Sequence, residues 1–339
     1  MSGSLDLTPS KAANMILRWM RVADEEKAAH IDLDRVREGL PTTPYGEGVK
    51  VIKPPMASTV SSVEGMLVCN PNDPAEWGIF YNPNASQERQ RFTIAHELGH
   101  FVLHRAKRRT FNCDKAAVHF SQDTAANIER EADEFASNLL MPGDVLRDRI
   151  TSQEVDLHLL SGLAKTFGVS FEALCIRFIK FTEKRAILLH WDNGFLKYEW
   201  RSRSAVLSNT RIRRLSDPAE PLRDTVAADE SIAQEWNGID MSAAVWCVGE
   251  QPYMKVQEFK HSYGSRDRVL TLLILEDAEP RRWDNSWKDK RASTASISSH
   301  QAVRCRLENR HIMISVVSHA AAPNTSAPVT SPAMGRMAI

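Results

Sequence analysis

The residues best suited to chemistry lie in the segment 91–104, Arg-Phe-Thr-Ile-Ala-His-Glu-Leu-Gly-His-Phe-Val-Leu-His, which contains His96-Glu97-x-x-His100. On a helix, residues four apart stand one turn above each other, so His96 and His100 present two imidazoles on one face, about 6 Å apart along the axis. That is a grip for a divalent cation. Glu97, beside the first histidine, is placed to take a proton from a water polarised by that cation without being a ligand itself. A catalytic zinc site usually has three protein ligands and one open position, so a third must come from elsewhere. His104 is four residues further on, and a straight helix puts its Cα about 12 Å from that of His96. It is therefore expected to support the site or lie at the surface.

Residues 128–142 supply the next candidates. Ile128, Ala132, Phe135, Ala136 and Leu139 recur at helical spacing and form one apolar stripe, ended by Pro142-Gly143. Glu129 and Glu131 flank that stripe on its two sides, and periodicity leaves both open as the third ligand. Asn138 shares a row with Glu131 and is a candidate orienting partner for a ligand there.

Arg-x-Phe-Thr-Ile-Ala-His-Glu-Leu-Gly-His followed by Glu-x-Glu-Ala-Asp-x-Phe-Ala-x-x-Leu-Leu-Met-Pro resembles the ImmA/IrrE metallopeptidases, which cleave or inactivate helix-turn-helix repressors of mobile-element or stress-response genes. The resemblance implies that His96, His100 and Glu131 are zinc ligands and that Glu97 is the general base. It implies one Zn2+ per chain, with Mn2+ an alternative that two nitrogens and a carboxylate would also accept. It further implies a protein substrate, a helix-turn-helix repressor of the XRE type. Asp133 stands where the family commonly has Asn.

With 339 residues, two domains are expected. Lys plus Arg and Asp plus Glu both number 43, so the totals give no electrostatic case for a general polyanion binder. The five cysteines are dispersed without a Cys-x-x-Cys pair, as suits a reducing cytosol. Arg18, Arg21 and Asp24 interrupt the one N-terminal run that could resemble a secretory signal, and no stretch approaches twenty apolar residues. A cytoplasmic protein without membrane partners is expected.

The elements that must position the site read as an α+β fold, a zincin-like peptidase domain with a small antiparallel sheet. A helix near 10–28 and a shorter one near 33–40 precede strand-like runs at 49–52, 65–69 and 77–81. Gly65, Met66, Leu67 and Val68 are candidates for an edge strand holding an extended substrate. Asn84 with Gln87 is a capping pair for the motif helix, and 105–123 reads as a basic surface loop. Residues 155–181 resemble a helix-turn-helix with Gly168 in the turn. The would-be reading helix is apolar around most of its circumference, which favours a structural hairpin over DNA recognition.

These readings set the domains at 1–183, including the hairpin at about 155–181, and at 184–318. The second is β-rich and a candidate sensory or regulatory domain, opening with a hairpin at Asn193-Gly194 and continuing through a short helix at 229–236 and strands at 243–248, 253–259, 269–275, 302–307 and 311–317. Trp191, Trp200, Trp236, Trp246 and Tyr253 are expected in its core. Residues 319–339, rich in Ala, Pro, Ser and Thr, read as a disordered tail. The resulting expectation is a zinc-dependent endopeptidase. The alternative is a DNA-binding or repressor-sequestering regulator with a structural metal.

Overall fold

The computed structural model describes residues 8–23, 29–60, 63–114, 123–264 and 267–278. The expected strands at 302–307 and 311–317, and the tail at 319–339, lie outside them. Two helices, α1 (Pro9–Ala23) and α2 (Leu33–Gly39), lead into strands β1 (Val51–Ile52), β2 (Met56–Ala57), β3 (Val63–Cys69) and β4 (Glu76–Tyr81). Then come α3 (Gln87–His104), β5 (Thr110–Asp114), α4 (Asp123–Leu140), α5 (Gly143–Thr151), α6 (Leu157–Phe167) and α7 (Phe171–Phe181).

The first sheet has the order β1-β4-β3-β5, with β2 also on β4. It is mixed rather than antiparallel: β1 and β2 run parallel to β4, while β3 is antiparallel to both β4 and β5. Two expectations change here. The segment read as a surface loop contains β5. The candidate substrate strand is internal, with Gly65 opposite Tyr81 and Cys113, and Met66, Leu67 and Val68 likewise paired on both sides. Its main-chain groups are already committed to neighbours and cannot take a substrate strand.

Serine 86, rather than Asn84, caps α3: its hydroxyl accepts from Arg89 N at 3.3 Å. The helix runs unbroken through all three histidines and lies against α4. Ala132, Phe135, Ala136 and Leu139 of α4 are fully buried, as are Ala95, Leu98 and Phe101 of α3. Gly99 lets the two helices approach, because a Cβ there would lie 3.0 Å from a Phe135 ring carbon and 3.2 Å from both Cα and O of Ala132.

Helices α6 and α7 form a hairpin bent by 109° at Gly168, which adopts a left-handed φ of 66° and closes α6 through its N–H to Ala164 and Lys165 carbonyls. Leu174, Cys175, Ile176, Arg177, Phe178 and Ile179 of α7 are buried, and the helix packs against α5 on one side and against the next sheet on the other. The apolar circumference expected of α7 is therefore largely covered. No single helix among the described residues is long and apolar enough to cross a membrane.

The second sheet, order β7-β6-β10-β9-β8, is antiparallel and comprises β6 (Arg185–Asp192), β7 (Phe195–Arg201), β8 (Gln234–Ser242), β9 (Lys255–Ser262) and β10 (Arg268–Leu275). Helices α8 (Arg203–Leu207) and α9 (Ala243–Trp246) lie between its strands. The expected strand at 243–248 is thus largely α9, and the expected helix at 229–236 gives way to a turn and β8. Asn193 and Gly194, at φ 52° and 79°, make the expected tight turn.

Alternation along β6 and β10 puts Leu188, Leu270 and Leu272 into the main core, continuous with α7, while Ile187, Leu189, Trp191 and Leu273 face a second cluster around Trp246 and Cys247. Of the expected core aromatics, Trp191 and Trp246 are buried, Trp200 and Trp236 half-buried, and Tyr253 is 80% exposed. The α3–α4 contact leads to a direct expectation. Gly99→Val should lower the unfolding free energy by about 1–3 kcal/mol, read from urea denaturation, since the Ala132 backbone cannot step aside.

Candidate metal centre

Within α3, the four-residue spacing brings His96 Nε2 and His100 Nε2 to 2.9 Å from each other. One row of α4 answers them. Glu129 places Oε2 3.2 Å from His96 Nε2 and Oε1 3.4 Å from His100 Nε2. Asp133, one turn on, places Oδ1 2.9 Å from His96 Nδ1. His96, His100 and Glu129 form the cluster whose ligand atoms all lie within 4.8 Å of one another.

Glu131 is not in this cluster. Its Oε2 sits 2.9 Å from His104 Nε2, and His104 Nδ1 lies 3.1 Å from His100 Nδ1. A helix turns 100° per residue, so the α4 row facing the imidazole pair contains Glu129 and Asp133, and Glu131 projects toward the next turn of α3. His104, fully buried, bridges Glu131 to His100 instead of facing solvent. Asn138 lies away from the centre: its amide donates to Ser10 Oγ at 3.0 Å and Glu134 O at 2.7 Å, and its oxygen accepts from Arg177 at 3.0 Å. It joins α1, α4 and α7.

One neutral arrangement places a proton between each outer ring nitrogen and its partner. His96 Nδ1–H donates to Asp133, His100 Nδ1–H donates to His104 Nδ1, and His104 Nε2–H donates to Glu131. Both inner Nε2 lone pairs then converge beside a carboxylate, an array of acceptors that repel one another unless a cation lies among them. The donor set of two imidazoles and one carboxylate, each ring oriented by an outer partner, fits a first-row divalent metal.

The electrostatics agree. Burial pushes the His100 imidazole down to about 4, keeping it neutral and its lone pair available. Burial on its own would raise the Glu129 carboxyl, but His100 and His96 beside it outweigh this and hold it well below the usual carboxylate range. Phe111 of β5 stacks on the His100 ring, with centroids 4.6 Å apart and planes at 16°, fixing it from the sheet side. Glu97 is fully buried and lies over β3 where that strand lacks a side chain: a Cβ on Gly65 would fall 2.4 Å from Glu97 Oε1.

Periodicity leaves Glu129 open beside Glu131 as the third ligand, with only the family resemblance favouring Glu131; the contact of Asp133 with His96 was not anticipated. The available signal was their own spacing: an acidic pair four apart on α4 matches the imidazole pair four apart on α3.

A sheet-flanked helix pair bringing two histidines and one carboxylate together defines a mixed α+β domain with a candidate metal site. More specifically, residues 47–178 match the family model described as the IrrE N-terminal-like domain, of the M78 peptidases. No curated protein matches the chain. Among solved structures, a Mycobacterium tuberculosis transcriptional regulator aligns over 78% of this chain and 76% of that one, at 13% identity and a TM-score of 0.41. That similarity is too distant to carry an argument.

Two variants separate the acidic residues. Glu129→Ala should lose stoichiometric metal on dialysis, whereas Glu131→Ala should retain it with affinity weakened by about 10–100-fold, the usual effect of removing an outer partner. Metal content and competition with a chromogenic chelator read both.

Proposed function

We propose that the chain is a metal-dependent endopeptidase, with His96, His100 and Glu129 holding one divalent ion, zinc by the nature of the donors, and Glu97 acting as general base. The observation that carries this reading is the convergence of the three ligand atoms from two helices next to a buried carboxylate. A bound ion would supply Lewis acidity and a water of lowered pKa. Glu97 would accept the proton of the attacking water at its carboxylate and return it to the departing amine nitrogen. Asp133, and the pair His104 and Glu131, hold the imidazoles in the tautomers that turn the Nε2 lone pairs toward the ion.

Substrate positioning falls to β5. Among the described residues it pairs only with β3, leaving its other side as an edge, and its Phe111 stands on His100. An extended segment adding to β5 by main-chain pairing would cross the centre. The ImmA/IrrE resemblance supports a protein substrate, and a helix-turn-helix repressor is the candidate we infer.

Incubation with a candidate repressor, followed by fragment mass, tests the activity. Glu97→Gln should keep its metal and produce no fragments, and full cleavage by that variant would remove Glu97 from the role. Gly65→Ala should also keep its metal while cleaving more slowly by about ten-fold or more, because the added methyl displaces the Glu97 carboxylate.

A further inference from the structure

A cavity of about 680 Å³ opens on the far side of His96 from the metal-binding nitrogen. It is bounded by the first turns of α3, the C-terminal half of α4, the α6–α7 hairpin and Tyr263 just beyond β9. Phe92, Met141, Val169 and Ile176 give it apolar walls. Asp133 also lines it, so the cavity touches two neighbours of His96, the carboxylate on its Nδ1 and the Phe92 ring 6.3 Å away.

The polar groups around it are mostly donors. Three of its lining residues carry a buried polar atom with no hydrogen-bond partner: Arg91 Nε, Arg177 Nε and Tyr263 Oη. Each of the three can donate a proton, and buried donors without acceptors are rare because their desolvation is uncompensated. Arg91 and Arg177 are anchored at their far ends, the former on Ile31 O and the latter on Asn138 Oδ1 and Met141 O, so both guanidinium groups are held in place. Lys165 and Lys180 add positive charge. Of the three lining carboxylates, Glu172 is turned onto His190 at 2.5 Å, Asp133 onto His96, and Glu88 is exposed. The first turns of α3 and α7, at Ser86–Arg89 and Ser170–Ala173, both border the space, so two helix dipoles favour negative charge there.

We propose that this cavity binds a small amphipathic anion, an apolar body carrying one carboxylate or phosphate, at a site separate from the metal. The head group meets Arg91, Arg177 and Tyr263, and the body lies against Phe92, Val169 and Ile176. The occupant abuts Asp133, so on the peptidase reading it is a regulatory ligand acting through the orientation of His96. Binding itself does not depend on that reading.

The test uses the full chain and anilinonaphthalene sulfonate, an apolar anion that brightens in dry cavities. One saturable site is expected, equally in protein stripped by chelator and in Glu97→Gln. Decanoate or decyl phosphate should displace the probe, the stronger of the two identifying the head group, whereas inorganic phosphate should not. Tyr263→Phe and Arg91→Gln should each weaken binding by about ten-fold, as for a lost hydrogen bond to a charged group. Ala173→Trp, which fills the space, should abolish it, with circular dichroism confirming the fold of every variant. Absence of a saturable signal, or affinities unchanged in both Tyr263→Phe and Arg91→Gln, overturns the proposal. If no peptidase activity is found while the probe still binds, the peptidase reading and the regulatory role resting on it fall, and the binding site stands.

Discussion

The close approach of α3 and α4 is the constraint on which the centre depends. Where Gly99 meets Ala132 there is no room for a side chain on one helix and only a methyl on the other. The backbones therefore come near enough for Glu129 and Asp133 to reach imidazoles on the neighbouring helix. Short carboxylate side chains span little distance, and a separation one methyl group wider would leave Asp133 short of His96 Nδ1. Phe135, Leu139, Leu98 and Phe101 surround this contact and are fully buried, so the polar cluster is held at a fixed spacing by an apolar frame.

Burial and hydrogen bonding act on the cluster in opposite directions. Desolvation favours neutral imidazoles, and the same desolvation would favour a protonated Glu129, yet the two rings reverse that tendency. The result is a neutral His100 imidazole beside an ionised Glu129 carboxylate. His104 extends this order outward, since it accepts at one nitrogen and donates at the other, passing the orientation of His100 to Glu131 at the surface. A cation placed among these groups would meet ligands whose rotamers and protons are already set, which limits the entropy lost on binding.

Much of this was legible in the sequence, and the gaps have physical causes. Both site helices, the His96 and His100 pairing, the Asn193-Gly194 turn and the buried character of α7 follow from local periodicity and turn chemistry. The choice between Glu129 and Glu131 does not, because both border the same apolar stripe and only the rotation of α4 against α3 decides. Short strands β2 and β5 were missed for a related reason: a five-residue edge rich in polar groups takes its conformation from its neighbour β3. Internal placement of Gly65–Val68 depended on that missed strand. At 243–248 the apolar run had no period to separate strand from helix, and its burial against the second sheet selected a short helix.

The apolar interior does not stop where the peptidase-type segment ends. Phe178 and Ile179 of α7 share one continuous cluster with Leu188, Leu270 and Phe259 of the second sheet. A fragment truncated after α7 would carry a hydrophobic helix face stripped of its cover, and the sheet alone would expose the complementary face. The two regions therefore share one interior, and excising either would leave a piece with an uncovered apolar face prone to aggregate.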